Sequence, residues 1–268
     1  MSAPTVIVTG ASRGLGRATA LILAQMGANL ALNARSAQAL AQVRAEIEEL
    51  GARVQVLPGD ISAPDVVERL VATAILHFGG IDVVINNAAI LEPLAQIDDS
   101  DPMLWRRNLD INVWAPYLLV QAALPYLRRS LHGRVINVSS GAAVRPTIGW
   151  SAYCVSKAAI NMFTSVLAME EPEITSIAFR PGAVDTSMQS ILRQQGKGVM
   201  TEEVHHYFAQ LHARHELLSP ELPGRALAAL GLYAPNEWSG RFIRWNEPTV
   251  QQLVEDVDRL GEGGDARR

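Results

Sequence analysis

The apolar residues of this chain fall into short β-branched runs separated by longer stretches with helical periodicity. The short runs predict strands at residues 5–8, 28–33, 54–57, 82–85, 134–138, 176–179 and 241–245. The longer stretches predict one helix that begins near residue 18, one that ends near residue 50, and three over about 63–78, 102–129 and 153–169. Residues 187–218 have helical patches and no strand signal. Strands that alternate with helices are typical of an α/β fold.

Length and composition bound the domain organisation. The 268 residues are enough for one large core, and 49% apolar with 19% charged residues is an ordinary globular balance. No internal repeat or linker divides the chain. We therefore expect a single domain over residues 1–260, in which 187–218 form a lid over the substrate, and a flexible polar tail at 261–268.

Charge and cysteine content exclude several classes of partner. The net charge is −4 and no basic stripe is present, so we expect no nucleic-acid partner. The single cysteine, Cys154, excludes an intrachain disulfide and fits a reducing compartment, so we expect a cytoplasmic protein. The uncharged windows 18–34 and 111–127 approach the length of a membrane span, but both contain Asn, Gln and Gly or Pro. We interpret them as buried core, with no membrane association.

A glycine-rich turn joins the first predicted strand to the first predicted helix. Its glycines, Gly10, Gly14 and Gly16, have the spacing G-x-x-x-G-x-G, which differs from the G-x-G-x-x-G fingerprint of dinucleotide-binding folds. Such a turn lets backbone approach a phosphate, and the helix N-terminus supplies N–H groups and a positive dipole end. The alternative is a turn that only connects two elements.

The end of the second predicted strand is where dinucleotide folds distinguish their cofactors. An acidic residue there binds the ribose hydroxyls of NAD, whereas an arginine accommodates the 2′-phosphate of NADP. This chain has Arg35 and no acid at that position, and Arg13 lies in the glycine turn. Two guanidiniums can clamp one phosphate. We expect NADP(H) as the preferred cofactor, with NAD(H) possible; the alternative is that both arginines are simply solvated.

Tyr153 and Lys157 are four residues apart on a predicted helix and therefore share a face. Only two of the 23 basic residues are lysines, Lys157 and Lys197, so a lysine at this position suggests a need for a compact ammonium. An ammonium close to a phenol lowers the phenol's pKa from its usual value near 10. Tyr153 is thus a candidate proton donor or acceptor; an ordinary surface pair is the alternative.

The four histidines of the lid region, His205, His206, His212 and His215, raise the question of a metal site. No carboxylate or cysteine set accompanies them at the spacing that metal sites use. We assign them to a helix face and expect no metal.

The ordered set of 9–16, 86–89, Ser140, Tyr153-x-x-x-Lys157 and Pro181-Gly182 resembles the classical short-chain dehydrogenase/reductase family. Within that family, residues 181–189 and 240–247 resemble the branch of sepiapterin reductases and fungal benzil reductases. Two positions depart from the family pattern: Ala89 replaces a usual glycine, and Ile177 replaces an asparagine that often precedes Pro-Gly.

The resemblance implies a doubly wound, Rossmann-type parallel sheet of about seven strands with helices on both faces. It also implies roles for named residues. The catalytic set would be Asn112, Ser140, Tyr153 and Lys157, with Ser139 as a less favoured substitute for Ser140. Cofactor contacts would come from Gly10, Ser12, Arg13, Gly14, Leu15, Gly16, Arg35, Asp60, Ile61, Asn87, Ala88, Tyr153, Lys157, Pro181, Gly182, Val184 and Thr186. Substrate contacts would come from Ser140, Trp150, Tyr153 and Met188.

These expectations together predict an NADPH-dependent carbonyl reductase. Tyr153 would protonate the oxygen of a bulky, uncharged ketone or diketone, similar to benzil or sepiapterin, while the cofactor provides the hydride. One alternative is an NAD(P)-dependent alcohol dehydrogenase that works in the oxidative direction. Another is a regulatory protein that senses the nucleotide without catalysis. The uncharged faces of 111–127 and 158–169 predict a homodimer or homotetramer.

Overall fold

The computed structural model describes residues 3–265, and the side chains of residues 3–260. Seven strands form one sheet in this part of the chain: β1 Thr5–Thr9, β2 Asn29–Ala34, β3 Val54–Pro58, β4 Val83–Asn86, β5 Arg134–Val138, β6 Thr175–Arg180 and β7 Phe242–Arg244. Their order is β3-β2-β1-β4-β5-β6-β7, and every neighbouring pair is parallel. The predicted doubly wound α/β fold is confirmed.

Helices cover both faces of the sheet. They are α1 Gly14–Gln25, α2 Ala37–Glu49, α3 Pro64–Phe78, α4 Pro102–Leu109, α5 Ala115–Leu127, α6 Ser151–Glu170, α7 Ser187–Gln195, α8 Glu202–Ala213, α9 Glu221–Tyr233 and α10 Pro248–Asp265. One apolar cluster joins the sheet to α1, α2, α9 and α10, and a second joins it to α3, α5 and α6. A third, smaller cluster gathers side chains of α6, α7 and α8 beside the sheet.

The alternation of side chains along each strand explains why the strands read as continuous apolar runs. In β1, Val6 and Val8 enter one cluster and Ile7 enters the other, and all three are fully buried. Successive residues of a strand point to opposite faces, so a sheet covered on both faces needs apolar residues at every position. This burial is what makes the strands easy to recognise from sequence.

The predicted strands agree with the observed ones to within one residue at each end. The predicted 102–129 helix contains one π-helical turn, Asp110–Trp114, between α4 and α5. Two helices, α9 and α10, had no predicted counterpart. The predicted tail at 261–268 begins inside α10; residues 266–268 lie outside the described part of the chain, and the flexibility of the tail stays a prediction.

Helix α6 is long and apolar enough, by length and composition alone, to span a membrane. It nevertheless carries buried polar side chains, among them Ser156, Lys157 and Thr164, and its Leu167 packs into the core under the sheet. These features are those of a core helix. The two uncharged windows likewise contribute to the core, since 18–34 is divided between α1 and β2.

The strand order reverses between β1 and β4. In open α/β sheets, a crevice forms outside the carboxyl ends of the two strands at such a reversal, and ligands bind there. In this chain the glycine-rich turn follows β1, and Asn87 follows β4. The topology therefore brings two of the predicted cofactor-binding segments to one edge of the sheet.

Candidate active site

The glycine turn packs so tightly that side chains cannot be added to it. Gly10 has a φ of +65°, which L-residues with side chains rarely adopt, and a Cβ there would lie 2.9 Å from the Cα of Ala88. A Cβ on Gly16 would lie 2.4 Å from the carbonyl oxygen of Gly10 and 2.4 Å from Nδ2 of Asn87. The turn thus presents bare backbone, followed at once by the N-terminus of α1, which is the arrangement that binds a phosphate.

Asn87 holds the glycine turn against the end of β4. Its Nδ2 donates to the carbonyl oxygens of Thr9 at 2.9 Å and Gly10 at 3.2 Å. The backbone N–H groups of Asn87 and Ala88 both donate to Oγ1 of Thr9, at 3.1 and 3.0 Å. Asn87, which the resemblance implies as a cofactor contact, therefore lies at the carboxyl edge of the sheet.

A cavity of about 520 Å³ runs along this edge of the sheet. All the residues that sequence analysis assigned to cofactor binding line it, and so do Ser140 and Met188. Asn112 and Trp150 are not part of its wall. The cavity thus connects the glycine turn to Tyr153 and Lys157, as a site for a dinucleotide and a second small molecule requires.

Ser140 rather than Ser139 is positioned to contact a substrate. Both follow β5, but the hydroxyl of Ser139 is 2% exposed and donates to Oδ1 of Asn161 at 2.6 Å. Ser140 begins the short 3₁₀ turn Gly141–Ala143, where its Oγ accepts a hydrogen bond from the N–H of Ala142 at 3.2 Å. The Ser140 side chain also lies near the Tyr153 phenol and lowers its pKa. The structure therefore favours Ser140 for the role that the resemblance implies.

Lys157 is a largely buried residue of the cavity wall and faces Tyr153. Its Nζ donates to the carbonyl oxygen of Val138 at 2.7 Å and lies 5.6 Å from the centre of the Tyr153 ring. The side chain is 3% exposed, and burial lowers its pKa to about 8. The ammonium form is therefore present at neutral pH and is lost as the pH rises through about 8.

The structure corrects the expected protonation behaviour of Tyr153. Burial raises the pKa of its phenol to about 12, and the Ser140 side chain, which acts in the opposite direction, does not compensate. The predicted net lowering of this pKa is wrong because the phenol is almost fully desolvated, and desolvation is the largest contribution to the shift. Tyr153 consequently keeps its proton through the neutral range, which is the state of a proton donor.

Asn112 lies behind helix α6 and is not part of the cavity wall. It sits in the π-helical turn and is 1% exposed. Its Nδ2 donates to the carbonyl oxygen of Ile90 at 2.8 Å and to Oγ of Ser156 at 3.1 Å, and its Oδ1 accepts from the N–H of Ile90 at 2.9 Å. The side chain therefore fastens the segment after β4 to α6, and its implied part in a proton relay stays a prediction.

Trp150 packs behind Tyr153, although sequence analysis assigned it to the substrate pocket. Its ring meets the Tyr153 ring edge-on at 5.9 Å and stacks on Phe208 of α8 at 5.6 Å. Its Nε1 donates to Sδ of Met200 at 3.0 Å. The indole is thus satisfied inside the third apolar cluster, where it supports Tyr153 and links the lid region to α6.

Asp60 lines the cavity, and its carboxylate forms hydrogen bonds and an ion pair with neighbouring residues. It accepts hydrogen bonds from the N–H and Oγ of Ser62 at 3.1 and 2.8 Å, and it pairs with Arg107. Burial raises its pKa, but the hydrogen bonds from Ser62 and Arg107 outweigh this, so the net shift is downward. The carboxylate is fixed as an anion that shapes the wall near β3.

Arg13 and Arg35 are exposed on the cavity wall near the glycine turn. Among the described residues, neither forms a salt bridge, whereas nearby Arg17 is paired with Glu46. No carboxylate stands at the end of β2, which finishes at Ala34. Two unpaired guanidiniums at this end of the cavity fit an additional phosphate on the ribose.

Several residues of the cavity wall were not predicted from sequence, and Arg180 and Gln189 are two of them. Arg180 is the last residue of β6, and Gln189 lies in the first turn of α7 with its Oε1 buried and without a partner among the described residues. The only sequence signal for Arg180 was its position at a strand's carboxyl end. The position of Gln189 depends on how α7 packs over the cavity, which no local pattern shows.

Comparison with known proteins agrees with this geometry. The sequence profile of the short chain dehydrogenase family matches residues 4–197. An uncharacterized oxidoreductase of Schizosaccharomyces pombe is 39% identical over 241 residues, which cover 90% of this chain and 95% of the relative. A benzil reductase of Saccharomyces cerevisiae that forms (S)-benzoin is 34% identical over 253 residues, which cover 90% of this chain and 95% of the relative.

Solved structures show the same fold. The crystal structure of the KRED1-Pglu enzyme has a TM-score of 0.85 at 39% identity and covers 90% of this chain and 100% of its own. A blue fluorescent protein in complex with NADPH has a TM-score of 0.79 at 27% identity, with 91% and 96% covered. A xylitol dehydrogenase bound to NAD⁺ has a TM-score of 0.82 at 25% identity, with 91% and 97% covered.

The chain belongs to the short-chain dehydrogenase family. It is an oxidoreductase of that family, and the predicted similarity to benzil reductases is confirmed.

Proposed function

We propose that the protein is an NADPH-dependent carbonyl reductase that acts on ketones and diketones. The observation that carries this proposal is the placement of Ser140, Tyr153 and Lys157 on the wall of one cavity that continues to the glycine turn. The similarity to a benzil reductase supports the substrate class. The test is NADPH oxidation with a panel of aromatic and aliphatic diketones; no turnover with any member, by protein whose fold is verified, would contradict the proposal.

The bound nicotinamide would supply the hydride, and residues of this chain would polarise the carbonyl group and supply the proton. The hydroxyl groups of Ser140 and Tyr153 hydrogen-bond the substrate oxygen and polarise the carbonyl. As negative charge develops on that oxygen, Tyr153 donates its proton. An alkoxide is a far stronger base than a phenolate, so this transfer is favourable even with the raised pKa of Tyr153. The Lys157 ammonium then stabilises the phenolate that forms in a desolvated site.

The protonation states favour reduction over oxidation. Alcohol oxidation requires Tyr153 to accept a proton, and burial, which raises its pKa to about 12, opposes the phenolate form at neutral pH. Reduction requires a protonated phenol, which the site provides. A regulatory protein without catalytic activity would not need a phenol, a serine hydroxyl and a buried ammonium at one point of the cavity wall.

Reduction should depend on pH through Lys157. Burial lowers the pKa of this ammonium from 10.5 to about 8, so raising the pH through about 8 removes the positive charge next to Tyr153. We expect kcat/KM for ketone reduction to fall as the pH rises, with its midpoint near 8. A profile of kcat/KM that stayed flat well above this midpoint would contradict the role of the ammonium.

The preference for NADPH should depend on Arg35. Replacing it with alanine removes a charged partner of the 2′-phosphate, so we expect the Kd of NADPH to rise by about tenfold to a hundredfold while that of NADH changes little. The matched control is Arg44→Ala in α2, an exposed arginine paired with Glu48 outside the cavity. Tighter binding of NADH than NADPH by the wild-type protein would overturn the argument from Arg35.

We also propose that the protein forms a homodimer or homotetramer through α5 and α6. Side chains of these helices and of the π-helical turn expose apolar surface that a monomer has no reason to present, including Trp114, Tyr117, Val155, Met162 and Val166. Trp114 and Tyr117 stack on each other at 5.4 Å across this surface. A monomeric mass in light scattering would contradict this proposal.

A further inference from the structure

Arg180 places a guanidinium on the cavity wall beside the predicted catalytic serine. A Cβ on Gly141, the residue after Ser140, would lie 2.9 Å from Cζ and 2.9 Å from Nη2 of Arg180. The guanidinium therefore lies against the bare backbone of Gly141, in space that any other residue at 141 would occupy. This contact places the cation next to Ser140, where the carbonyl group would be bound.

The guanidinium of Arg180 has no counter-ion in the described part of the chain. It forms no salt bridge there, although nine other cation–carboxylate pairs are present. The nearby charges are instead cationic: Arg244 is its register partner on β7, and Arg145 lies in the loop after the 3₁₀ turn. Burial lowers the pKa of Arg180, Arg244 and Arg145 lower it further, and Tyr207 of the lid acts in the opposite direction.

A half-buried cation with like charges around it is unfavourable unless an anion joins it. Among the described residues no carboxylate forms a salt bridge with Arg180, and the cavity that Arg180 lines is where an anion can enter. A guanidinium fork binds a carboxylate with two parallel hydrogen bonds. The contact of its guanidinium with Gly141, the residue after Ser140, suits a carboxylate attached to the reacting carbonyl carbon.

We propose that Arg180 is a specificity-determining residue that binds the carboxylate of a 2-oxo acid while Ser140 and Tyr153 hold its ketone oxygen. This inference rests on the proposed reductase function and names a preferred substrate class for the same site. It departs from the expectation of an uncharged substrate, which rested on apolar residues alone. Uncharged diketones remain substrates, with a lower kcat/KM than an acid of similar size.

The test compares benzoylformate with its methyl ester, which keeps the same two adjacent carbonyl groups but lacks the charge. The wild-type protein should have the higher kcat/KM for the acid. Arg180→Gln should lower kcat/KM for the acid by about tenfold to a hundredfold and leave that for the ester close to wild type. Arg180→Lys, which keeps the charge without the fork, should fall in between. Arg129→Gln, which removes an exposed arginine just after α5, is the control for net charge.

Equal losses for acid and ester in Arg180→Gln, or a wild-type preference for the ester, would overturn the assignment. If Arg180→Gln does not fold, inhibition of the wild-type protein tests the assignment instead. Benzoate should inhibit reduction of an uncharged diketone more strongly than benzamide does. Equal inhibition would overturn the assignment of Arg180 to carboxylate binding. Failure of the reductase proposal itself looks different, since neither the acid, the ester nor any diketone would then be reduced. In that case calorimetric binding of benzoate and benzamide to the wild-type protein tests Arg180 independently of turnover.

Discussion

Tyr153→Phe is expected to lower kcat for ketone reduction by at least about a hundredfold, and by up to about ten-thousandfold. The substitution removes one hydroxyl, the proton donor, and keeps the ring that packs against Trp150. Cofactor affinity should stay close to wild type, because the glycine turn, Arg13 and Arg35 are unchanged. The measurements are steady-state NADPH oxidation and fluorescence titration with NADPH.

Tyr233→Phe is the matched control, since this tyrosine is 43% exposed at the end of α9 and is not part of the cavity wall. It should keep full activity. A Tyr153→Phe protein that reduces diketones at a rate near that of the wild type would show that the proton comes from another group.

Lys157→Met is expected to lower kcat/KM by about a hundredfold to a thousandfold, because it removes the charge that stabilises the developing phenolate. The chain offers an unusually direct control: Lys197→Met alters the only other lysine, which is exposed after α7. Lys157→Arg should also lose activity, since a planar fork cannot occupy the space between the Val138 carbonyl and the Tyr153 ring as a compact ammonium does. Full activity in Lys157→Arg would refute the need for an ammonium.

The stability of Lys157→Met follows from the direction of its pKa shift. The pKa is 10.5 in an ordinary environment and about 8 in the folded protein, so the buried charge opposes folding below pH 8, and this cost disappears as the pH rises to 10.5. Methionine relieves that cost but leaves the Val138 carbonyl without its donor. We therefore expect Tm to change by only a few degrees, so that lost activity reflects chemistry rather than unfolding.

The parallel sheet could be predicted from sequence because most of the strands are almost fully buried and contain short apolar runs, such as residues 6–8 in β1 and 83–85 in β4. Burial on all sides also explains why α9 could not be predicted. Most of its residues from Pro223 to Leu232 are buried, so no polar face alternates with an apolar one and no helical period is visible. α10 has a polar face, but the glycines near its end are typical of a flexible tail, which is what the sequence predicted there.

Site residues that belong to a sequence motif could be predicted. Site residues whose position depends on the packing of distant segments could not. Gly10 and Asn87 lie together because each directly follows one of the neighbouring strands β1 and β4, which the topology dictates. The protonation of Tyr153 was misjudged because a sequence pattern shows that a lysine is near but not how completely the phenol is desolvated. Arg180 and Gln189 were missed because their place on the wall depends on Gly141 and on the packing of α7.

The central claim is that Tyr153 donates its proton to the oxygen of a carbonyl group that Ser140 binds by a hydrogen bond. The most direct measurement is a crystal structure of the protein with NADP⁺ and a slowly reacting diketone. The account predicts one carbonyl oxygen within hydrogen-bond distance, about 2.6–3.2 Å, of both Oη of Tyr153 and Oγ of Ser140. A diketone bound with both oxygens out of reach of Tyr153, or a nicotinamide placed away from the Tyr153 end of the cavity, would contradict it.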